Sequence, residues 1–233
     1  MTEVPALVTL HLWRVRPRAV LPAAAHSALD RKALRHSPHL TFAKLLGTGH
    51  GTTFGVRDAD LSRWAMLACW SDTAGADAFD TSDLGHAWRA RATETARIDL
   101  QPISSRGQWS GREPFGRPAA SDPDGPVAVL TRARLRAGRT TAFYRAVPPV
   151  AAALHASAGV RLAIGVGEAP VGLQGTFSVW DSASAVRAFA YASPAHAAVV
   201  RRTPSERWYR EELFARFAVL RARGTVDGQD LRT

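Results

Sequence analysis

Eight histidines and one cysteine are the side chains of this 233-residue sequence best suited to holding a metal or moving a proton. His196 stands apart from the rest. In the segment YASPAHAAVV, Ser193 reads as a helix N-cap and Pro194 as the first helical residue, so His196 falls on the first turn. The positive end of a helix disfavours imidazolium and favours the neutral ring, the form that binds a metal. Small residues (Ala192, Ala195, Ala197, Ala198) surround it, and Val199 and Val200 follow at i+3 and i+4 as an apolar floor. The same position equally suits a histidine bonded to a backbone carbonyl.

The other candidates carry weaker signals. His36 and His39 flank Pro38 in a turn and His50 sits among glycines, so all three read as solvated. His11 lies in a strand alternation that does not say which face is buried, and His26 and His155 lie on helices without an identifiable partner. Cys69, inside the apolar run WAMLACW, lacks a glycine-rich ligand loop and reads as a buried structural thiol. Glu168, just after a GVG turn, could donate a proton or orient another group. No Ser-His-Asp or Cys-His constellation, CxxC or HExxH stands out. The GTGHG at 47–51 is not followed by Gly-Lys-Ser/Thr, which argues against a nucleotide loop.

The elements that must position these residues occur twice. At an offset of about 110 residues, Trp70 falls on Trp180, Phe79 on Phe189, His86 on His196, Ala87 on Ala197 and Arg91 on Arg201. The GTG at 47–49 answers the GVG at 165–167, and Gly107 answers Gly224, the drift marking loop insertions. Periodicity predicts strands over 8–15, 40–46, 64–70 and 98–104, a helix over 22–34, and a helix over 73–93 broken near Ser82 and Gly85. The second half repeats the order: strands over 127–135, 160–166, 173–180 and 214–221, a helix over 140–155 bent at Pro148-Pro149, and a broken helix over 183–202. The chain thus divides into an N-terminal half over 1–109, a Pro/Gly/Asp/Ser-rich linker over 110–126 and a C-terminal half over 127–233. Each half is β-α-β-β-α-β, and the expected fold class is α+β: tandem duplicated ferredoxin-like halves whose bare sheet faces cover each other as an intramolecular dimeric α/β barrel. His86, the copy of His196, sits among Asp83, Trp88 and Arg89, surroundings that suit a surface better than a ligand site.

Composition bounds the function classes. Hydrophobic residues make up 46%, which fits a folded globular protein. Net charge is +10, but lysine occurs only at Lys32 and Lys44, and the arginines are dispersed with no helix-turn-helix, zinc-finger or RNP pattern. Specific nucleic-acid binding would rest on charge alone and is not expected, and nonspecific attraction to an anionic membrane surface has no stronger support. No apolar run reaches membrane-spanning length, the N-terminus lacks a basic n-region and cleavage site, and the one cysteine cannot form an internal disulfide. A cytoplasmic protein is expected, with homodimerisation and peripheral membrane contact left open.

Several segments, in one order and over nearly the whole chain, resemble the spheroidene monooxygenase family: GTGHGTTF at 47–54, REPF at 112–115, LTRA at 130–133, GVGEAP at 165–170, TFSVW at 176–180 and WYREELFARF at 208–217. The resemblance implies haem b and an oxidoreductase of monooxygenase or peroxygenase type, acting on an apolar or amine-bearing small molecule with an electron donor or peroxide. It implies His196 as the iron ligand, its alanine neighbours leaving space for the flat macrocycle over Val199 and Val200. Arg132 and Arg216 would pair with the haem propionates. Gln174, Thr176 and Ser178 share one strand face and Phe177 the other, and one of the two would wall the pocket. Glu168, Gln174 and Arg132 are the implied catalytic groups. Rivals on the same fold are a haem-dependent dehydratase of aldoxime-dehydratase type, a haem carrier or sensor, and a cofactor-free oxygenase.

Overall fold

The computed structural model describes residues 3–53, 56–168, 173–192, 197, 199, 201–202 and 206–232. Its first strand, β1 (Leu7–Val15), is buried on both faces, so alternation in LVTLHLWRV separates two cores rather than core from solvent. After it come α1 (Val20–Leu34), β2 (Leu40–Gly49), β3 (Ala59–Trp70), α2 (Thr73–Thr81), α3 (Asp83–Arg91) and β4 (Ala92–Gly107). The second run is β5 (Val127–Leu135), α4 (Thr140–His155), β6 (Val160–Gly167), β7 (Leu173–Trp180), α5 (Ala183–Ala192), β8 (Tyr209–Val226) and the short β9 (Gln229–Asp230). The protein is α+β with a large antiparallel sheet. Among the described residues no helix is long and apolar enough to cross a membrane.

Local chemistry explains several boundaries. Ser82 is a single extended residue that ends α2 and caps α3, its hydroxyl accepting from the Gly85 amide at 3.1 Å. Gly85 follows because a Cβ there would lie 2.2 Å from the Phe79 carbonyl oxygen. The terminal strands are longer than periodicity alone indicates, because β4 and β8 pair with each other along most of their length.

Strand order is β4-β1-β3-β2-β6-β7-β5-β8, with β4 also bonded to β8, so each of these eight strands has two paired neighbours. The two joints have matching registers. In the β2–β6 joint Gly47 faces Gly167, Thr48 faces Val166 and Gly49 faces Gly165. In the β4–β8 joint Gly107 faces Leu213 at one end and Gly224 faces Ala96 at the other. Both glycines have φ near +90°, in the left-handed region, and each is followed by a turn capped by an acid of the other run. Glu211 accepts from the Ser110 and Gly111 amides, and Glu94 from those of Asp227 and Gly228.

One core is built from the strands of both runs, including Leu10, Leu12, Leu67, Cys69, Leu130, Ile164, Phe177 and Phe217. A second lies between β1–β3 and α1–α3, and a third between β5–β7 and α4–α5. The segment 110–126 is largely without regular structure, as its composition indicates. It is not free of the core: Trp109 just before it and Phe115 within it are fully buried, Phe115 meeting the Phe217 ring edge-on at 4.9 Å.

Candidate functional site

Strand parity sorts the expected site residues onto two faces. On β5, Ala128, Leu130 and Arg132 point into the shared core, while Val127, Val129, Thr131 and Ala133 point toward α4 and α5. On β7, Phe177 and Val179 face the shared core, and Gln174, Thr176, Ser178 and Trp180 face the helices. Arg132 and Phe177 therefore lie on the side of the sheet opposite Gln174. Arg216, on β8, pairs with Val129 and is exposed. Val199 is half-buried; His196 and Val200 lie outside the described residues.

At the shared-core end, Arg132 is buried and pairs with Glu168 at 2.8 Å and with Glu211. Glu168 also accepts from Lys44 Nζ at 2.6 Å and from Trp109 Nε1 at 2.7 Å. Burial alone would raise the Glu168 pKa. The hydrogen bonds from Lys44 and Trp109, with the charges of Lys44 and Arg132, outweigh it and hold the carboxyl below the usual carboxylate range. A carboxylate held ionised this way orients its donors and is poorly suited to giving up a proton at neutral pH. The residues around Glu168 escaped notice in the sequence because Lys44 is 124 residues away. A signal was present: Lys44 is one of only two lysines in an arginine-rich chain. Beside this cluster a cavity of about 360 Å³ opens between α1 and β2, lined by Arg31, Leu34, Arg35, Phe42, Lys44 and Arg112 among others.

On the helix-facing side the two runs differ in one consistent way. Counting from the Leu7–Trp70 and Val127–Trp180 rungs, the rung His11–Met66 of the first run corresponds to Thr131–Thr176 of the second. Two residues on, Trp13–Trp64 corresponds to Ala133–Gln174. In the first run the space under the helices is filled: Trp13 stacks on Trp88 at 4.9 Å, Met66 is fully buried, and Trp64 packs on Trp88. In the second run the four corresponding side chains are small or polar and each is half-buried. Gln174 accepts a 2.8 Å hydrogen bond from Tyr144 of α4. At the edge of this face Trp208 is fully buried against Phe143, and its Nε1 has no hydrogen-bond partner among the described residues.

His26 on α1 is half-buried and has two partners that the sequence did not reveal, Asp30 at 3.4 Å and Arg91 at 2.9 Å. His86 is exposed, as are His36, His39, His50 and His155. His11 is buried between the rings of Trp13 and Phe79, and desolvation lowers its pKa to about 3. Cys69 is fully buried in the shared core, and burial pushes its thiol pKa up, so it stays protonated and structural. Among the described residues no group of three His, Cys, Asp or Glu is placed to hold a metal ion.

No protein-family model matches the chain. The spheroidene monooxygenase of Rhodobacter capsulatus is 34% identical over 228 residues, covering 96% of this chain and 94% of that protein. The chain belongs to the spheroidene monooxygenase family. A second spheroidene monooxygenase, from Rubrivivax gelatinosus, is 39% identical over 194 residues, 82% of this chain and 73% of its own. Membership makes this chain an enzyme, an oxidoreductase of monooxygenase type. Among solved structures, an aldoxime dehydratase superposes with a TM-score of 0.62 at 10% identity, covering 91% of this chain and 80% of that one. An aldoxime dehydratase bound to butyraldoxime gives 0.56 at 12% identity, with 91% and 79% covered. At such identities the likeness extends to the fold alone. This chain thus presents two polar regions, the Arg132–Glu168 cluster at the shared core and the Gln174–Tyr144 face under the helices.

Proposed function

We propose that this chain is a haem-dependent monooxygenase of an apolar small molecule, with the haem seated under α4 and α5 against β5 and β7. The observation that carries the reading is the replacement of Trp13, Trp64, Met66 and His11 by Ala133, Gln174, Thr176 and Thr131 at corresponding rungs. Removing that much side chain from one of two like interfaces leaves room for a flat group where the other interface is filled by indoles. The same registers support a finer view of the fold, in which two ferredoxin-like copies form a dimeric α/β barrel within one chain. Pairing Gly47 with Gly167 and Gly49 with Gly165 is what a two-fold relation between copies requires, and the Gly107 and Gly224 ends of β4 and β8 repeat it.

In this reading His196, outside the described residues, would hold the iron through a neutral imidazole nitrogen, and Val199 and Val200 would add apolar contacts to the haem. When bound, the haem iron supplies the redox chemistry that activates O2 or peroxide. The protein's own groups do the rest. Tyr144 Oη and Gln174 Oε1, hydrogen-bonded at 2.8 Å, hold a proton at the substrate side, and Thr131 and Thr176 add hydroxyls on the same face. Phe143 and Phe189 give apolar walls that exclude water. Trp208 Nε1, without a hydrogen-bond partner among the described residues, and the exposed Arg216 would be donors for the propionates. Arg132 and Glu168 act as a positioning group that ties β2, β5 and β8 together. A cytoplasmic location, with an electron donor as partner, completes the reading.

The test is an absorption spectrum of protein expressed with haem supply, followed by turnover with spheroidene. A Soret band at about one haem per chain, lost in His196→Ala and kept in His86→Ala, is the expected result. A well-folded protein that takes up no haemin would return the function to a cofactor-free oxygenase. Haem retained unchanged in His196→Ala would move the ligand elsewhere.

A further inference from the structure

The solvent side of α1 is apolar where a surface helix is ordinarily polar. Leu21, Ala25, Ala28 and Leu29, at i, i+4, i+7 and i+8, form its outward stripe, with Pro22 and Ala24 beside them; all are exposed, Leu21 by 82% and Leu29 by 67%. Two of the helix's polar groups, Ser27 and Asp30, are on the inner side. Ser27 donates to the Ala24 carbonyl, and Asp30 accepts from Trp88 Nε1 at 3.0 Å. Cations stand at both ends of the stripe: Arg18 before the helix, and Arg31, Lys32 and Arg35 at its last turn, all exposed. Asp30, the one acid between Arg16 and His36, is buried. The corresponding helix α4 shows no such stripe, because Arg145 interrupts its outward face.

We propose that this face docks the protein on an anionic lipid bilayer, Leu21 and Leu29 entering the interface and Arg18, Arg31, Lys32 and Arg35 meeting lipid phosphates. An in-plane helix needs this combination of a shallow apolar strip and flanking cations. A second copy of the chain is a poor occupant. One three-turn helix face is far below the roughly 1,000 Å² of a stable interface, and pairing would bring the cationic ends of chains of net charge +10 together. Arg31 and Arg35 also line the cavity beside Lys44 and Arg112, so docking sets that opening at the lipid surface.

Co-sedimentation of the full-length protein with lipid vesicles tests the proposal, and it reads binding without reference to haem or turnover. The protein should pellet with phosphatidylglycerol-rich vesicles at low salt and stay in solution with pure phosphatidylcholine. Leu21→Asp/Leu29→Asp should abolish binding, and each cation reversed among Arg31, Lys32 and Arg35 should weaken it at least about fivefold. Leu220→Asp, at an exposed leucine on β8, should bind as the parent does. Thermal unfolding of every variant should match the parent, since the altered side chains are solvent-facing. Vesicle binding unchanged in both the leucine and the cation variants overturns the proposal, as does equal binding to phosphatidylcholine. Loss of a dimer in Leu21→Asp/Leu29→Asp by analytical ultracentrifugation, without loss of vesicle binding, would assign the face to a second copy and overturn it too.

Discussion

At the scale of single residues, the polar groups buried in this protein have opposite fates depending on what surrounds them. Glu168 is kept ionised by Lys44, Trp109 and Arg132, whereas His11, between two aromatic rings with Asp80 at 3.6 Å, is kept neutral. For His11 the folded pKa of about 3 lies below the ordinary 6.5, so below pH 6.5 the unfolded chain takes up a proton that the folded chain refuses. Stability must then fall as pH drops through that window, by about 1.4 kcal/mol per pH unit while the difference is fully expressed. Carboxylates with lowered pKa, such as Glu168, add their own loss only below their ordinary value of 4.5. Urea unfolding between pH 6.5 and about 5 isolates the histidine. His11→Leu should flatten the pH slope there, and a variant with the parent's slope would refute this assignment.

At the scale of elements, the two helix–sheet interfaces differ by side-chain volume on a common register. Refilling the second is the direct check of what the volume is for. Ala133→Trp restores the residue found at the corresponding position of β1, and paired with Gln174→Trp it rebuilds the Trp13–Trp64 rung. Haemin titration should show uptake lost in the double variant while far-ultraviolet dichroism is preserved. Uptake undiminished would place the haem away from β5 and β7. The joint between β4 and β8 makes a second element-level prediction. Gly107 and Gly224 have φ of +89° and +86°, and a Cβ would lie 2.2 Å from the Glu212 carbonyl oxygen and 2.0 Å from that of Thr95. Gly107→Ala and Gly224→Ala should each cost at least about 2 kcal/mol in urea unfolding, and by similar amounts because the two sites have the same backbone surroundings.

At the scale of the whole molecule, the two runs of strands share one core and both sheet joints. Leu10, Leu67 and Cys69 from the first run pack in the same cluster as Leu130, Ile164 and Phe217 from the second, and Phe115 adds to it from the connection. Separating the runs would expose that apolar surface on both. The chain should therefore melt as one cooperative unit, with calorimetric and van't Hoff enthalpies in agreement. Two resolved transitions, or a fragment of residues 1–109 that folds as a monomer, would contradict the shared core.

Much of the local architecture was legible in the sequence because its signals are local. Alternation and helical periodicity placed the long strands and helices, Ser82 and Gly85 marked the helix break, and Leu173–Trp180 matches its expected bounds. The ordered family segments, from GTGHGTTF to WYREELFARF, were likewise readable without coordinates. What the sequence could not decide was which side of each strand faces what. Parity puts Arg132 and Phe177 on one side and Gln174 on the other, but naming those sides requires the β5–β7 and β5–β8 registers. The same holds for Phe115, inside the segment read as a linker, and for Trp109 just before it, until Phe217 and Glu168 are brought against them. Periodicity is set by each residue's own backbone, whereas a face acquires its chemistry from partners a hundred or more residues distant, and only the folded pairing supplies those.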